Sequence, residues 1–259
     1  ERPIQLIVPW AAGGGTDNVA RTLAVALEQE LGQPVNVVNR PGGSGVVGHA
    51  AIMNAKPDGY TIGLMTAELN MMHWLGLTDF TYEDFTAIAQ VNADYAGVQV
   101  KTDSKYQTIQ ELLDDIREKP AHTFTAAGSG QGGIWHIALG SLLLDQEMDP
   151  QKVKWIPTEG ANIAMLELVA GGVDFTDVSL PEARSMTDSG KARNLAYMSP
   201  ERNSAFSDVP TLKEEIGSDL AVGPWRGIGA PKGLDSEKNA APGPATPRGS
   251  SDGSPPPEP

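Results

Sequence analysis

The sequence predicts an α/β protein with largely parallel sheets, and three observations carry that expectation. Apolar strand-like runs alternate with helical stripes along the chain. Two glycine-rich turns each join such a strand to such a helix. The 259 residues, 40% of them hydrophobic, suffice for one large or two modest domains, and the length favours two sheets.

The elements follow in order. Residues 4–8 (IQLIV) are a short β-branched run, suited to a strand covered on both faces. From Val19 to Leu31 the residues Val19, Leu23, Ala26, Leu27 and Leu31 share one helical stripe. Between them stand Gly13, Gly14, Gly15, Thr16 and Asp17. The glycines lack a Cβ, so backbone can approach a bound group closely, and the first N–H groups of the helix have no intrahelical acceptor. Such a helix start favours a negative group. Asp17 is expected to accept N–H bonds at this start, since a carboxylate would repel an anion.

Residues 34–39 read as a second strand, followed by a glycine loop and a helix that residues 56–60 (KPDGY) terminate. Strands are expected at 61–65, 85–91 and 96–100, and a helix at 108–119 with Thr108 as its cap and Glu111 three residues on. Residues 122–144 then repeat the opening design. Gly128, Gly130, Gly132 and Gly133 form a loop in which Ser129 and Gln131 supply polarity, and Ile134, Ile137, Ala138, Ser141 and Leu142 lie along the next helix. Strands at 152–158, 173–179 and 192–198, a helix at 161–171 ending on glycine, and a short helix within 209–217 complete the pattern. From Ser236 large aliphatic and aromatic residues cease and Pro, Gly and Ser crowd together, so residues 236–259 are expected to be a disordered tail or a segment foreign to the fold.

Composition excludes several functions. A formal charge of -14 with no basic cluster repels nucleic acid. No apolar run reaches the roughly 18 to 20 residues that cross a bilayer. Cys is absent, which rules out disulfides and thiolate metal sites and suits an exported protein. The chain opens on Glu1 without a basic-then-apolar leader, as a mature exported protein would.

The stretch GSGQGG (128–133) matches G-x-G-x-x-G, which on its own is a weak dinucleotide signal. A ribose-binding acid is wanted about 20 residues on, at the end of the next strand, and Glu159 stands somewhat late. No Gly-Lys-Ser or Gly-Lys-Thr follows a glycine run. The four histidines show no metal-binding spacing, so no metal is expected. His136 is read as structural. Ser129 lacks the G-x-S-x-G elbow of a hydrolase. Asp174 and Asp177 follow a strand and either cap the next element or meet an ammonium group. Trp10 either walls a cleft or packs in a core.

Taken together, the phrases RPIQLIVPWAAGGGTDNVAR, LGQPVNVVNRPGGSGVVG, KPDGYTIGL, AAGSGQGGIWHIAL, LVAGGVDFTDVS, SGKARNLAYMSPERN, DVPTLKEE and PWRGIGAPKGL resemble the Bug-type extracytoplasmic solute receptors of tripartite tricarboxylate transporters. They span Arg2 to Leu234 in the family's order. The resemblance implies a two-lobed, periplasmic-binding-protein-like fold, each lobe a mixed, mainly parallel sheet flanked by helices, with the cleft between lobes. It implies a periplasmic, monomeric receptor, not an enzyme, with no cofactor, that passes a small organic acid to the membrane components of its transporter.

In that family one carboxylate is pinched between two loops, which here correspond to Ala11, Ala12, Gly14, Gly15 and Thr16 in one lobe and to Gly128, Ser129, Gly130, Gln131, Gly132 and Gly133 in the other. Trp10, Asn70, Glu159, Asn162 and Asp177 are the further candidates for contact, with a di- or tricarboxylate favoured over an acidic amino acid or an aromatic acid. The lobes are expected at 1–100 plus 224–235 and at 101–223, with crossings near Gln99 to Thr102 and Gly223 to Trp225. Family members continue past GAPKGL with helices that pack on the first lobe, where this chain has its proline-rich tail. A nucleotide-dependent enzyme and a non-transport sensor of organic acids stand as alternatives.

Overall fold

The structure, a computed structural model, describes residues 2–234. The proline-rich tail lies outside the described residues. The chain builds β1 (Ile4–Val8), α1 (Gly15–Leu31), β2 (Val35–Asn39), α2 (Val46–Met53), β3 (Thr61–Thr66) and β4 (Phe85–Ala93). There follow β5 (Gly97–Lys101), α3 (Ile109–Glu118), β6 (Thr125–Ala127), α4 (Ile134–Asp145), β7 (Lys154–Ile156) and α5 (Ala161–Ala170). Next come β8 (Phe175–Thr176), α6 (Leu180–Asp188), β9 (Ala192–Tyr197) and α7 (Leu212–Ile216), before β10 (Trp225–Pro231) returns.

Two five-stranded sheets result, ordered β2-β1-β3-β10-β4 and β7-β6-β8-β5-β9. In the first, β1 pairs in parallel with β2 and β3, while β10 is antiparallel to β3 and β4. The second repeats this plan, with β5 as its reversed strand. Each lobe therefore has four strands running one way and one running back, and the reversed strand is the one that enters just after the chain crosses between lobes. The first crossing falls at Asp94–Ala96, earlier than the Gln99–Thr102 expected from sequence. Gly97–Lys101 is a nearly fully buried strand paired on both sides within the second sheet, and an apolar run by itself does not say which sheet will take it. The chain re-enters the first sheet at Trp225, where β10 begins. The two crossings are tied together: Asp94 N–H donates to Pro224 O at 3.0 Å and Ala96 N–H to Val222 O at 2.9 Å.

Alternation along β1 explains how the first lobe is layered. Leu6 and Val8 pack with Ala20 and Ala24 of α1 on one face, whereas Ile7 packs with Ile52 of α2 on the other. The second lobe buries a large cluster that reaches from Val98 and Val100 through the α3, α4 and α5 faces, and a small one of Leu180, Tyr197, Phe206 and Val209. Local signals set the helix ends. Thr108 and Glu111 form a reciprocal capping box at α3, and Gly32, Gly171 and Gly217 take left-handed conformations that close α1, α5 and α7. α1 begins at Gly15, ahead of the apolar stripe, because its first turn faces the cleft and not the core. The helix α6 has no counterpart in the sequence reading.

Candidate functional site

The two glycine loops face each other where the lobes meet. In the first, Gly14 is the cap residue of α1, in extended conformation and with no side-chain cap. No acceptor is found among the described residues for the N–H groups of Gly14, Gly15 and Thr16, and all three residues line the cleft. Asp17 is turned to structural use. Its carboxylate accepts from Gly13 N–H at 2.8 Å, from Asn39 Nδ2 at 2.9 Å and from Arg21 Nε at 2.8 Å. Burial alone would raise its pKa, but Arg21, the Gly13 N–H and Asn39 outweigh that and hold it below the usual carboxylate value.

The second loop is braced differently. Gly132 N–H donates to His136 Nδ1 at 3.1 Å, and the imidazole stacks on Trp155 with centroids 4.9 Å apart. Burial pushes the pKa of His136 down, so the neutral ring serves as acceptor. Gly132 has φ +70°, a left-handed conformation that favours glycine. Gly133 N–H bonds Gly130 O at 3.0 Å, which closes the turn before α4.

Several bonds join the lobes directly. Ser44 Oγ donates to Gln131 O at 3.0 Å, Asn162 Nδ2 to Ala12 O at 3.3 Å, and Ala11 N–H to Glu159 O at 3.3 Å. Two glutamates cross over. Glu68, just after β3, extends Oε1 to Ile134 N–H at the start of α4, 3.1 Å away. Glu182, in the first turn of α6 after β8, meets Arg226 Nη2 of β10 at 2.9 Å and lies against Gly15 at the start of α1. β3 in one lobe and β8 in the other thus each lead into a carboxylate that faces the start of a helix across the interface, Glu68 at α4 and Glu182 at α1.

Arg226 also donates from Nε to Thr16 Oγ1 at 3.0 Å. Its side chain is 6% exposed and that of Glu182 is 8% exposed, so the ion pair is buried between lobes. Burial raises the pKa of Glu182 and Arg226 opposes the rise. Glu68 is set from behind: its Oε2 accepts from Thr66 Oγ1 at 2.6 Å, and Trp10 Nε1 reaches Thr66 Oγ1 at 3.4 Å. His49, fully buried, donates from Nδ1 to Gly45 O at 2.8 Å and accepts Thr66 N–H at Nε2 at 3.3 Å. Burial keeps its imidazole neutral by lowering its pKa.

Of the residues expected from sequence, Trp10, Gly14, Gly15, Thr16 and Ser129 line the cleft. Ala11, Ala12 and Gln131 join the lobes through backbone, and Gly130 packs against Ser44 across the interface. Gly128, Gly132 and Gly133 are buried within the second loop. Two expectations fall elsewhere. Asn70 is exposed at the end of a short 3-10 turn, and Asp177 is fully buried outside the lining. The oxygens of Asp177 approach the backbone N–H groups of Leu139 and Asp177 itself, but no contact meets hydrogen-bond geometry.

Glu68, Glu182, Arg226 and Thr66 were not legible as site residues. A signal for Glu182 did exist. Ser179-x-x-Glu182 with Pro181 in the first turn is a helix-start pattern, and Ser179 does cap α6.

The enclosed space at the centre is about 20 Å³, room for about one water, so a larger molecule can enter only when the lobes part. A second interlobe cavity of about 210 Å³ adjoins it, between Gly13–Gly15 and the α5 and α6 faces. No helix among the described residues is long and apolar enough to cross a membrane.

Two lobes of one topology, hinged by paired crossings and meeting at the starts of α1 and α4, define a solute-binding protein of the periplasmic type. More narrowly, the chain belongs to the tripartite tricarboxylate transporter receptor family: the profile described as "Tripartite tricarboxylate transporter family receptor" matches residues 19–239. Protein BugT of Bordetella pertussis is 32% identical over 238 residues, covering 90% of this chain and 72% of BugT. A TctC solute binding protein from Polaromonas, solved with no ligand, is 38% identical with a TM-score of 0.65, covering 92% of this chain and 81% of that one. MatC from Rhodopseudomonas palustris, solved with bound malate, is 25% identical with a TM-score of 0.81 and the same coverage of 92% and 81%.

Proposed function

We propose that the chain is a periplasmic receptor that closes its lobes around a small organic carboxylate and delivers it to the membrane components of a tripartite transporter. The observation that carries this reading is the start of α1, where the N–H groups of Gly14, Gly15 and Thr16 point no acceptor elsewhere in the described protein and line the interlobe cleft beside Arg226. Backbone donors and a helix dipole hold an anion without large reorganisation, and exclusion of water on closure strengthens them. The malate in MatC supports the choice of an organic acid. The hinge supports closure as the response, because ligand that bridges both lobes favours the closed state by its differential affinity.

A nucleotide reading of the Gly128–Gly133 loop is disfavoured by Glu68. Its carboxylate occupies the N–H of Ile134, where a pyrophosphate would have to lie. A thermal-shift screen of carboxylic acids, with native mass spectrometry for retained ligand, tests the proposal. An acid present at 100 times its Kd should stabilise the protein by about 2.7 kcal/mol. Absence of any shift across mono-, di- and tricarboxylates and amino acids would overturn it.

A further inference from the structure

The charges that line the cleft are unequal, and their arrangement says which acid fits. Three ionisable side chains face the central space: Glu68, Glu182 and Arg226. Arg226 is committed to Glu182 at 2.9 Å. Glu68, 4% exposed, has only neutral donors, the hydroxyl of Thr66 and the N–H of Ile134, and no Lys, Arg or His forms an ion pair with it among the described residues. A buried carboxylate is costly unless a charge or several hydrogen bonds compensate it, and each of its oxygens retains capacity for another donor.

We infer that the ligand is a monocarboxylate bearing an ammonium group, and not a dicarboxylate; this rests on the carboxylate-receptor reading above. The acid end meets the free N–H groups of Gly14 to Thr16. The cationic end meets Glu68, whose Oε1 is held against the opposite lobe by a backbone N–H that an incoming donor would replace as the lobes part. A second carboxylate at that end would face Glu68 as a like charge in a water-poor space, where the repulsion is several times that in bulk water. The bracing from Trp10, Thr66 and His49 fixes Glu68 in place, so it cannot swing aside without abandoning the Thr66 hydroxyl.

The test compares glutarate, 4-aminobutyrate and butyrate by calorimetry on the wild-type chain and on Glu68→Gln, with circular dichroism and melting to establish folding. Glutamine keeps an acceptor for Ile134 N–H, so a residue that merely caps α4 would leave the order of affinities unchanged. The expected result is that the wild type binds an amino-bearing acid at least ~10-fold more tightly than glutarate, and that Glu68→Gln narrows or reverses the ratio by a similar factor. Preference of the wild type for glutarate, or an unchanged ratio in Glu68→Gln, overturns this inference while leaving the receptor reading intact. If Glu68→Gln does not fold, the wild-type order alone decides. Failure of every carboxylate to bind overturns both.

Discussion

Gly15→Ala probes closure while keeping the backbone N–H that faces the cleft. A Cβ on Gly15 would lie 2.7 Å from both Cγ and Cδ of Glu182, and closer still to Oε1. Ordinary contacts begin near 3.4 Å, so something must move by most of an ångström. Glu182 is not free to do so: Arg226 holds Oε1 at 2.9 Å and Ser179 Oγ reaches Oε2 at 3.2 Å. The two residues belong to different lobes, so the clash exists only in the closed state and neither isolated lobe feels it. The backbone of Gly15 is helical, and alanine there carries no conformational strain.

Overpacking of this kind costs about 1–3 kcal/mol, which as a penalty on closure corresponds to a loss of ligand affinity of roughly 5- to 150-fold. Gly140→Ala, in α4 and outside the cleft lining, is the comparison, because its nearest neighbour would stand at 3.8 Å, and its affinity should stay within about twofold. Calorimetry with an acid found by screening gives the affinities, and small-angle scattering gives the compaction. Unchanged affinity in Gly15→Ala, or an equal loss in both variants, would refute the idea that closure at this contact is coupled to binding.

Other outcomes follow from the same geometry. Arg226→Met leaves Glu182 buried without its cation, a loss of about 3–5 kcal/mol that falls on the lobe interface, so scattering should show a more open molecule and an unchanged profile would argue against the pair as an interlobe tie. Burial holds the Asp177 carboxyl well above the usual carboxylate range. A carboxyl raised in the folded state adds stability that is complete below its unfolded pKa and is lost as pH rises through the folded one. Asp177→Asn should therefore melt higher than the parent at about pH 8, by about 2 to 4 °C for each kcal/mol relieved, with the gap closing toward acid; a lower Tm at every pH would contradict this.

Hydrogen exchange should be faster in β4 and β10 than in β5 and β6. The first lobe divides its core into two small clusters and leaves an apolar groove of about 460 Å³ beside Ile62, Ile88 and Ile228, whereas β5 and β6 lie in the large main cluster of the second lobe. Equal protection in both lobes would count against it.

The sequence disclosed what local chemistry determines. The strand-glycine-helix units at Gly13–Gly15 and Gly128–Gly133, and the capping box at Thr108, rest on residues within a few positions of one another, so they could be read directly. α6 escaped because it buries only Leu180 and Ala183, too few apolar residues for a stripe. The pairing of Thr16 with Arg226 spans 210 positions and has no local trace at all. Assignment of β5 to the second sheet was hidden for a related reason: Val98 and Val100 are apolar in either sheet, and only the partners β8 and β9 decide. Glu68 and Glu182 carry no local mark of a site either, since their partners Ile134 and Arg226 stand 66 and 44 positions away.

The side-by-side crossings make the second lobe an insertion whose two stumps already touch. Residues 95–223 could be excised and the gap between Asp94 and Pro224 splinted by a short turn, since their backbones are within 3.0 Å of each other. A single cut anywhere in the chain cannot liberate the first lobe, whose sheet needs β10 from beyond the insertion as well as β1 to β4.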